Sequence, residues 1–258
     1  MKNFIFILIL AAFSMLYAEV NFDSLEPPLI AQIITFDGTV LYRGKDSFYW
    51  QEVKPTSKFY NYDELKTITN SYCEIQFTSG HTVRLDPNSD IILNAIKLDP
   101  QKDYFRTVRV MLGKIWIKAI TKSPANEQFI IKTAHASISI KGTFFSVEGP
   151  EGNISTYEGT VEVATDKQTV QVKKGTEIYI NNSGTIQETK PLSNQSLSAL
   201  NNILNSSLII TQDEKTKIQN EYKKQLEKIT ASQTSTQEKT GQTDLFSILK
   251  KFLKKLKL

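Results

Sequence analysis

Ile30-Ala31-Gln32-Ile33-Ile34-Thr35-Phe36-Asp37-Gly38-Thr39-Val40-Leu41-Tyr42 decides the reading of the fold. Two short runs rich in β-branched and aromatic residues flank an Asp-Gly pair, the pattern of a hairpin closed by a two-residue turn. Similar units recur along the chain. Phe77 passes through Ser79-Gly80 into Thr82-Val83-Arg84-Leu85, Val108–Leu112 through Gly113 into Ile115–Ile117, and Ile138–Ile140 through Gly142 into Phe145 and Val147. Glu158-Gly159-Thr160-Val161, Lys174-Gly175-Thr176-Glu177 and Ser183-Gly184-Thr185-Ile186 continue the series. Glycine tolerates the positive φ that a tight turn demands, and the Thr or Val after it restarts a strand. From Gly80 through Gly113, Gly142 and Gly159 to Gly175 the intervals are 33, 29, 17 and 16 residues, a degenerate repeat and not a fixed period. The expected body, residues 30–187, is all-β: a solenoid-like or sandwiched stack of short antiparallel strands, followed by C-terminal α-helices.

Upstream of this body, Lys2 and Asn3 precede an unbroken apolar run from Phe4 to Leu16, which closes at Tyr17-Ala18 before Glu19. A cationic start, a short apolar core and a small final residue describe a secretory signal over 1–18. The run falls short of the roughly 20 apolar residues that cross a bilayer. The expected product is exported to the periplasm or cell envelope, with 19–29 as a linker. At 40% hydrophobic and 22% charged residues, the 258-residue chain carries enough apolar material for one ordinary core. The formal charge of +4 matches the excess of Lys over Asp within the last fifteen residues, so the remainder is neutral. A nucleic-acid reader would spread basic residues over its folded body, and nucleic acid is excluded as an expected partner.

Downstream, Leu197, Leu200, Ile203 and Leu204 recur at helical spacing, and Thr211-Gln212-Asp213-Glu214 reads as a capping box opening a second helix with Ile218, Tyr222, Leu226 and Ile229 on one stripe. This helical region, 192–230, packs on the β body or on itself, or forms a short coiled-coil contact between chains. Residues 231–243 hold no large apolar side chain and read as a flexible linker. In 244–258, Leu245, Leu249, Phe252 and Leu256 share one side of a helical wheel, while Lys250, Lys251, Lys254 and Lys255 occupy the other. Such a basic amphipathic helix suits a membrane interface, a partner's groove, or the chain's own β domain.

The β segments together resemble the FecR domain, in order and along 30–180. Gly38 marks the opening strand pair, followed by Trp50 and by Asp63-Glu64-Leu65-Lys66-Thr67 in place of the family's Gly-Asp-x-Ile-x-Thr. Phe77–Leu85, around Gly80, and Leu112-Gly113-Lys114-Ile115-Trp116 come next. Phe129–Ala136, with Thr133 and Ala136, and Ile140-Lys141-Gly142-Thr143-Phe144-Phe145-Ser146-Val147 look like the family's Thr-Pro-x-Ala and Arg-Gly-Thr-x-Phe-x-Val pair, and strands at Gly159 and Gly175 close the match. Tyr62 stands where the family has Gly, Ala134 where it has Pro, and Lys141 where it has Arg. Well-known members are anti-sigma regulators with a cytoplasmic arm, a membrane span and an external sensor domain. Only three residues precede the apolar run here, so the resemblance implies the external module alone, acting as an interaction or scaffold domain.

Catalysis is not expected. His81 and His135 lie 54 residues apart in β-type segments, without the ligand spacing of a metal centre. No Gly-x-Ser-x-Gly elbow or phosphate-cradling loop is present, and no cofactor is implied. Cys73 alternates in phase with Ile75 and Phe77, the place of a buried thiol. The expected role is a non-catalytic protein-interaction module of the envelope with a protein partner. One alternative is a glycan-binding module with Tyr42, Tyr49, Trp50 and Trp116 as stacking platforms, and a second is the sensor of a trans-envelope anti-sigma-type system.

Overall fold

The computed structural model describes residues 29–97, 104–120, 127–140, 142–150, 153–225 and 227. The chain is mostly β, with two helices at the end of the described part. The signal segment 1–18, the linker 231–243 and the tail 244–258 fall outside the described residues, as does Lys141.

The ladders form two facing sheets. Sheet I runs in the order β4 (Lys58–Phe59), β1 (Ala31–Asp37), β6 (Tyr72–Phe77), β7 (Thr82–Leu85), the second part of β9 (Tyr104–Lys118), β12 (Phe144–Gly149), β13 (Asn153–Glu158), β16 (Thr176–Tyr179) and β17 (Lys190–Pro191). Sheet II runs β3 (Gln51–Glu52), β2 (Val40–Arg43), β5 (Glu64–Thr67), β8 (Asp90–Lys97), the first part of β9, β10 (Glu127–Lys132), β11 (Ser137–Ile140), β14 (Thr160–Ala164) and β15 (Thr169–Lys173). Strand β9 belongs to both, pairing with β8 through Leu112 and with β12 from Gly113 onward, so the sheets are continuous without closing into a barrel. All pairs are antiparallel except β9 with β10, a departure from the uniformly antiparallel stack expected from the sequence.

The Asp37-Gly38 pattern does not make a hairpin. Strand β1 pairs with β4 and β6 on its two edges, and β2 pairs with β3 and β5, so neither has an edge left for the other. Gly38 is a corner at which the chain leaves one sheet for the other. The same holds at Tyr62, Asn70, Asn88, Gly113, Gly142, Gly159 and Gly175, and all of these corners have a positive φ. The Ser79-Gly80 unit closes a true hairpin, β6 with β7, and the Ser183-Gly184 unit closes a short one through the antiparallel Ile180–Ile186 bridge.

Between the sheets lies the main core, contributed by alternate residues of both. Ile75, Phe77, Leu85, Ile91, Leu93, Ile115, Ile131, Ile138, Phe145 and Val163 have essentially no exposure. Cys73 joins them as expected, and burial pushes its thiol up to about 12, well outside the reactive range.

A second cluster covers the outer face of sheet I. Helix α1 (Asn194–Ser206) is capped by Ser193, whose side chain accepts from the Ser196 N–H, and it buries Leu197, Leu200, Ile203 and Leu204. Helix α2 (212–225) opens with the capping box read from the sequence: the Glu214 carboxylate accepts from the Thr211 N–H at 2.8 Å, and Thr211 Oγ1 accepts from the Glu214 N–H at 3.4 Å. Its Ile218 and Tyr222 join the cluster with Trp116, Phe144 and Tyr157 of sheet I. Leu226 and Ile229 lie outside the residues whose side chains are described. Among the described residues no helix is long and apolar enough to cross a membrane.

Two outcomes follow for equilibrium unfolding in urea. At Gly113, with φ 76°, an added Cβ would sit 2.5 Å from both the Asn88 carbonyl oxygen and Ser89 Oγ, so Gly113→Ala should cost about 2–4 kcal/mol. Gly44→Ala, with nothing nearer than 3.7 Å, should stay within about 0.5 kcal/mol of the parent. Glu74 and Arg84 form an ion pair at 2.9 Å with 0% and 7% side-chain exposure. Glu74→Gln, which leaves buried Arg84 with only its longer, 3.4 Å contact to Asp86, should cost about 3 kcal/mol, whereas Glu74→Gln combined with Arg84→Met should recover most of that loss.

Candidate functional site

The outer face of sheet I carries one row of side chains across six strands. The cross-strand partners run Glu74, Arg84, Trp116, Ser146, Ser155 and Glu177. At one end Arg84 Nη1 donates to Glu74 Oε1, and Arg84 Nε donates to Asp86 Oδ1 at 3.4 Å. The guanidinium also lies 3.9 Å from the centre of the Tyr72 ring. Asp86 Oδ2 accepts the Trp116 indole N–H at 2.7 Å. Glu74 further accepts the backbone N–H of Leu208, at 3.0 Å to Oε2, from the connection between the helices. At the other end Glu177 Oε2 accepts from Ser196 Oγ at 2.6 Å and Ser155 Oγ at 3.2 Å, while Tyr157 Oη donates to the Ser196 carbonyl at 3.3 Å. The row joins helix to sheet. Trp116, named above as a stacking platform, lies on this outer face but is fully buried and stacked with Tyr157 at 5.3 Å.

The family-motif positions serve the corners. Asp63 Oδ2 accepts the Tyr60 N–H at 2.8 Å beside the Tyr62 corner, and burial pushes its carboxyl above the usual carboxylate range. Thr67 Oγ1 donates to the Asp86 carbonyl at 2.6 Å and accepts the Ser89 N–H at 3.0 Å, tying the end of β5 to the β7–β8 corner. Thr133 Oγ1 accepts the Ala136 N–H at 3.1 Å and closes the β10–β11 turn. Thr143 packs so closely on Gly159 that a Cβ there would lie 2.6 Å from its Cγ2. Phe145 is in the core, and the Gly175 N–H donates to the Thr156 carbonyl at 2.8 Å. Gly38, Gly80, Gly113 and Gly142 hold positive φ values at the turns already described.

The two histidines are not brought into a reactive group. His81 is buried in the β6–β7 hairpin, accepts the Ile120 N–H at Nδ1 over 3.2 Å, and lies 4.5 Å from Phe129, ring centre to ring centre. Burial first, and the charge of Arg106 second, pull its imidazole down to about 4, so it stands neutral as an acceptor. His135 lies in the β10–β11 turn beside Gly184. Among the described residues no three His, Cys, Asp or Glu side chains come within reach of one metal ion. Trp50, a second expected platform, has Arg43 and Lys66 over its ring at 4.8 and 5.0 Å.

Sequence reasoning missed the buried row. Its signal was the out-of-phase placing of Glu74, Arg84 and Trp116 in strands, together with an amphipathic helix downstream that needs a surface to cover.

No curated protein matches the chain. Two crystal structures of a candidate anti-sigma factor from Parabacteroides distasonis are similar to it at 19% identity and a TM-score of 0.44, over 53% of this chain and 62% or 63% of theirs. The chain thus spans less than two thirds of the length of those structures. Residues 63–162 match the family model described as FecR protein. That match begins at the Tyr62 corner, takes in those at Asn70, Asn88, Gly113, Gly142 and Gly159, and ends in β14, so over these residues the β body is similar to the FecR family.

Proposed function

We propose that this chain is an exported protein whose FecR domain works as a non-catalytic interaction module in envelope signalling. The observation that carries this reading is the unequal treatment of its two outer faces. Both described helices cover sheet I, whereas on sheet II side chains such as Arg109, Gln128, Glu162, Gln171 and Lys173 stand exposed. A face of mixed charge, framed on one edge by the five-residue strand β15, offers a partner side-chain contacts and a strand edge. The family match supports the envelope-signalling role. Motif positions that serve corners, and a neutral His81 spent on a backbone hydrogen bond, favour a scaffold over a catalyst. Glycan binding through the four aromatics draws no support, because Trp116 is buried and Trp50 is flanked by cations. Residues 244–258, whose apolar and lysine positions separate at helical spacing in the sequence, would hold the module at an anionic membrane surface.

A photoreactive residue placed at Arg109 in cells should give discrete cross-linked protein adducts, and the same probe at Asn205, exposed on α1, should not. Equal labelling from both positions, or none from either, would end the interaction-face reading. Separately, the chain should sediment with vesicles containing anionic phospholipid and lose at least tenfold in binding when truncated after Thr243. Unchanged binding would remove the tail from the account without touching the sheet face.

A further inference from the structure

Sheet I ends in β4 and β17, and sheet II in β3 and β15. At three of these ends the terminal strand has only two residues, and β17 includes Pro191. Short strands and proline keep an exposed edge from recruiting another strand. The fourth, β15, reads Thr169-Val170-Gln171-Val172-Lys173, with no proline, no bulge and only valines on its core side. Its register on β14 fixes where its backbone points. The Thr165 N–H donates to the Gln168 carbonyl at 2.9 Å and the Lys174 N–H to the Gly159 carbonyl at 2.9 Å, so the hydrogen-bonded pairs between them are Val163 with Val170 and Val161 with Val172. The N–H and C=O groups of Thr169, Gln171 and Lys173 therefore face away from β14. Among the described residues only the Lys173 carbonyl is engaged, by the Thr176 hydroxyl at 2.6 Å.

This edge is complementary to itself. Its outward residues are spaced evenly about Gln171, so a twofold axis there sets two copies antiparallel, Gln171 opposite Gln171 and Thr169 opposite Lys173. Each outward N–H then meets an outward C=O, and the Lys173 carbonyl has a second lone pair for the Thr169 amide. Val170 of one copy lies beside Val172 of the other, which extends the apolar layer. Lys173 faces a threonine, so no like charges stand opposite each other. A twofold contact of this kind closes on itself and leaves no open edge at β15 for a third copy.

We propose that two copies of the chain pair antiparallel through β15, joining their second sheets into one continuous sheet. This rests on the reading of β15 as an open edge and commits that edge to a second copy, while the exposed side of sheet II around Arg109 stays free for the envelope partner. A five-residue ladder is small against the roughly 1,600 Å² of a standard interface, so the pairing is of the transient class.

Cross-linking in intact cells that produce the full chain tests this. Residues in a hydrogen-bonded antiparallel pair have Cα atoms about 5.5 Å apart, within reach of a short bis-maleimide. Gln171→Cys should yield a product at twice the mass of the chain. Glu162→Cys, one strand further in on the same face, should yield none, and buried Cys73 should not react in the parent. Adding Thr169→Pro to Gln171→Cys, which removes an outward N–H and no bond to β14, should abolish the product, whereas Thr169→Ala should keep it. Hydrogen exchange on the purified full chain needs no substitution: the Gln171 amide should slow as concentration rises, while the Val170 and Val172 amides, bonded to β14, stay slow throughout. The proposal is overturned if Gln171→Cys gives no product of dimer mass or only products of other masses, or if Glu162→Cys gives as much. It is equally overturned by a dimer that survives Thr169→Pro or is lost with Thr169→Ala, or by exchange at Gln171 that ignores concentration. Absence of the dimer with the Arg109 adducts retained would end the pairing and leave the exposed-face reading standing.

Discussion

A fully buried carboxylate must be answered on every side, and at Glu74 the answers come from two parts of the chain. Arg84 supplies the charge from the adjacent strand, and the Leu208 N–H supplies a donor from 134 residues downstream. Neither is dispensable, because an ion pair shut away from water is tolerable only when its remaining lone pairs and protons are also satisfied. Water is kept out by α1, α2 and the segment between them. The same cover buries Trp116, Phe144 and Tyr157, whose rings would otherwise face solvent from the outer side of sheet I. The β body therefore stands or falls with α1 and the connection that follows it, although the sequence divides them by composition.

The second constraint is the corner. A hairpin pairs a strand with its sequence neighbour, but a corner sends it into the opposite sheet, where its neighbours come from elsewhere in the chain. Strand β1 lies beside β6, β5 beside β8, β11 beside β14, and β13 beside β16. Eight of these crossings use one residue in the left-handed region, which the chain supplies with Gly, with Asn, and once with Tyr62, whereas β3 passes to β4 without one. Pairing at such separations raises the loop entropy that must be met before contacts form, so this topology folds slowly compared with a simple meander. Cys73 is the single cysteine and no internal disulfide shortens those loops.

What could be read in advance follows from how local each feature is. The capping box at Thr211 was legible because its partners lie three residues apart, and α1 because Leu197, Leu200, Ile203 and Leu204 repeat at helical spacing. The glycine positions were legible as turns, but Asp37-Gly38 announces a change of direction without saying which strand lies alongside. A corner and a hairpin share their residues and differ only in distant partners. Asn70 and Asn88 perform the same task and passed unnoticed, because Asn pays less than other side chains for a positive φ without being a glycine. The row from Glu74 to Glu177 was the least legible. Alternation with Cys73, Ile75 and Phe77 puts Glu74 on the face opposite the core, and its cross-strand partner Arg84 lies there too, yet only the helices downstream turn that face inward.

The two helices are held by different physics, and this orders their release. Helix α1 presents four large apolar side chains and engages the buried serines and Glu177 through Ser196, contacts that lose little to salt. Helix α2 presents Ile218 and Tyr222 and is otherwise fixed by ion pairs to the rim of sheet I: Glu214 with Lys118, Lys217 with Glu158 at 2.7 Å, and Glu221 with Lys174 at 2.5 Å. Pairs so open to solvent contribute little and are screened by ions. Force or competition arriving through the C-terminal tail meets α2 before α1. Lifting α2 alone would uncover Phe144 and the Tyr157 carbonyl that accepts from Tyr222 at 3.0 Å, while Glu74 kept its donor from Leu208. The buried ion pair thus marks the boundary between the part of the helical cover that can yield and the part whose loss would unmake the sheet.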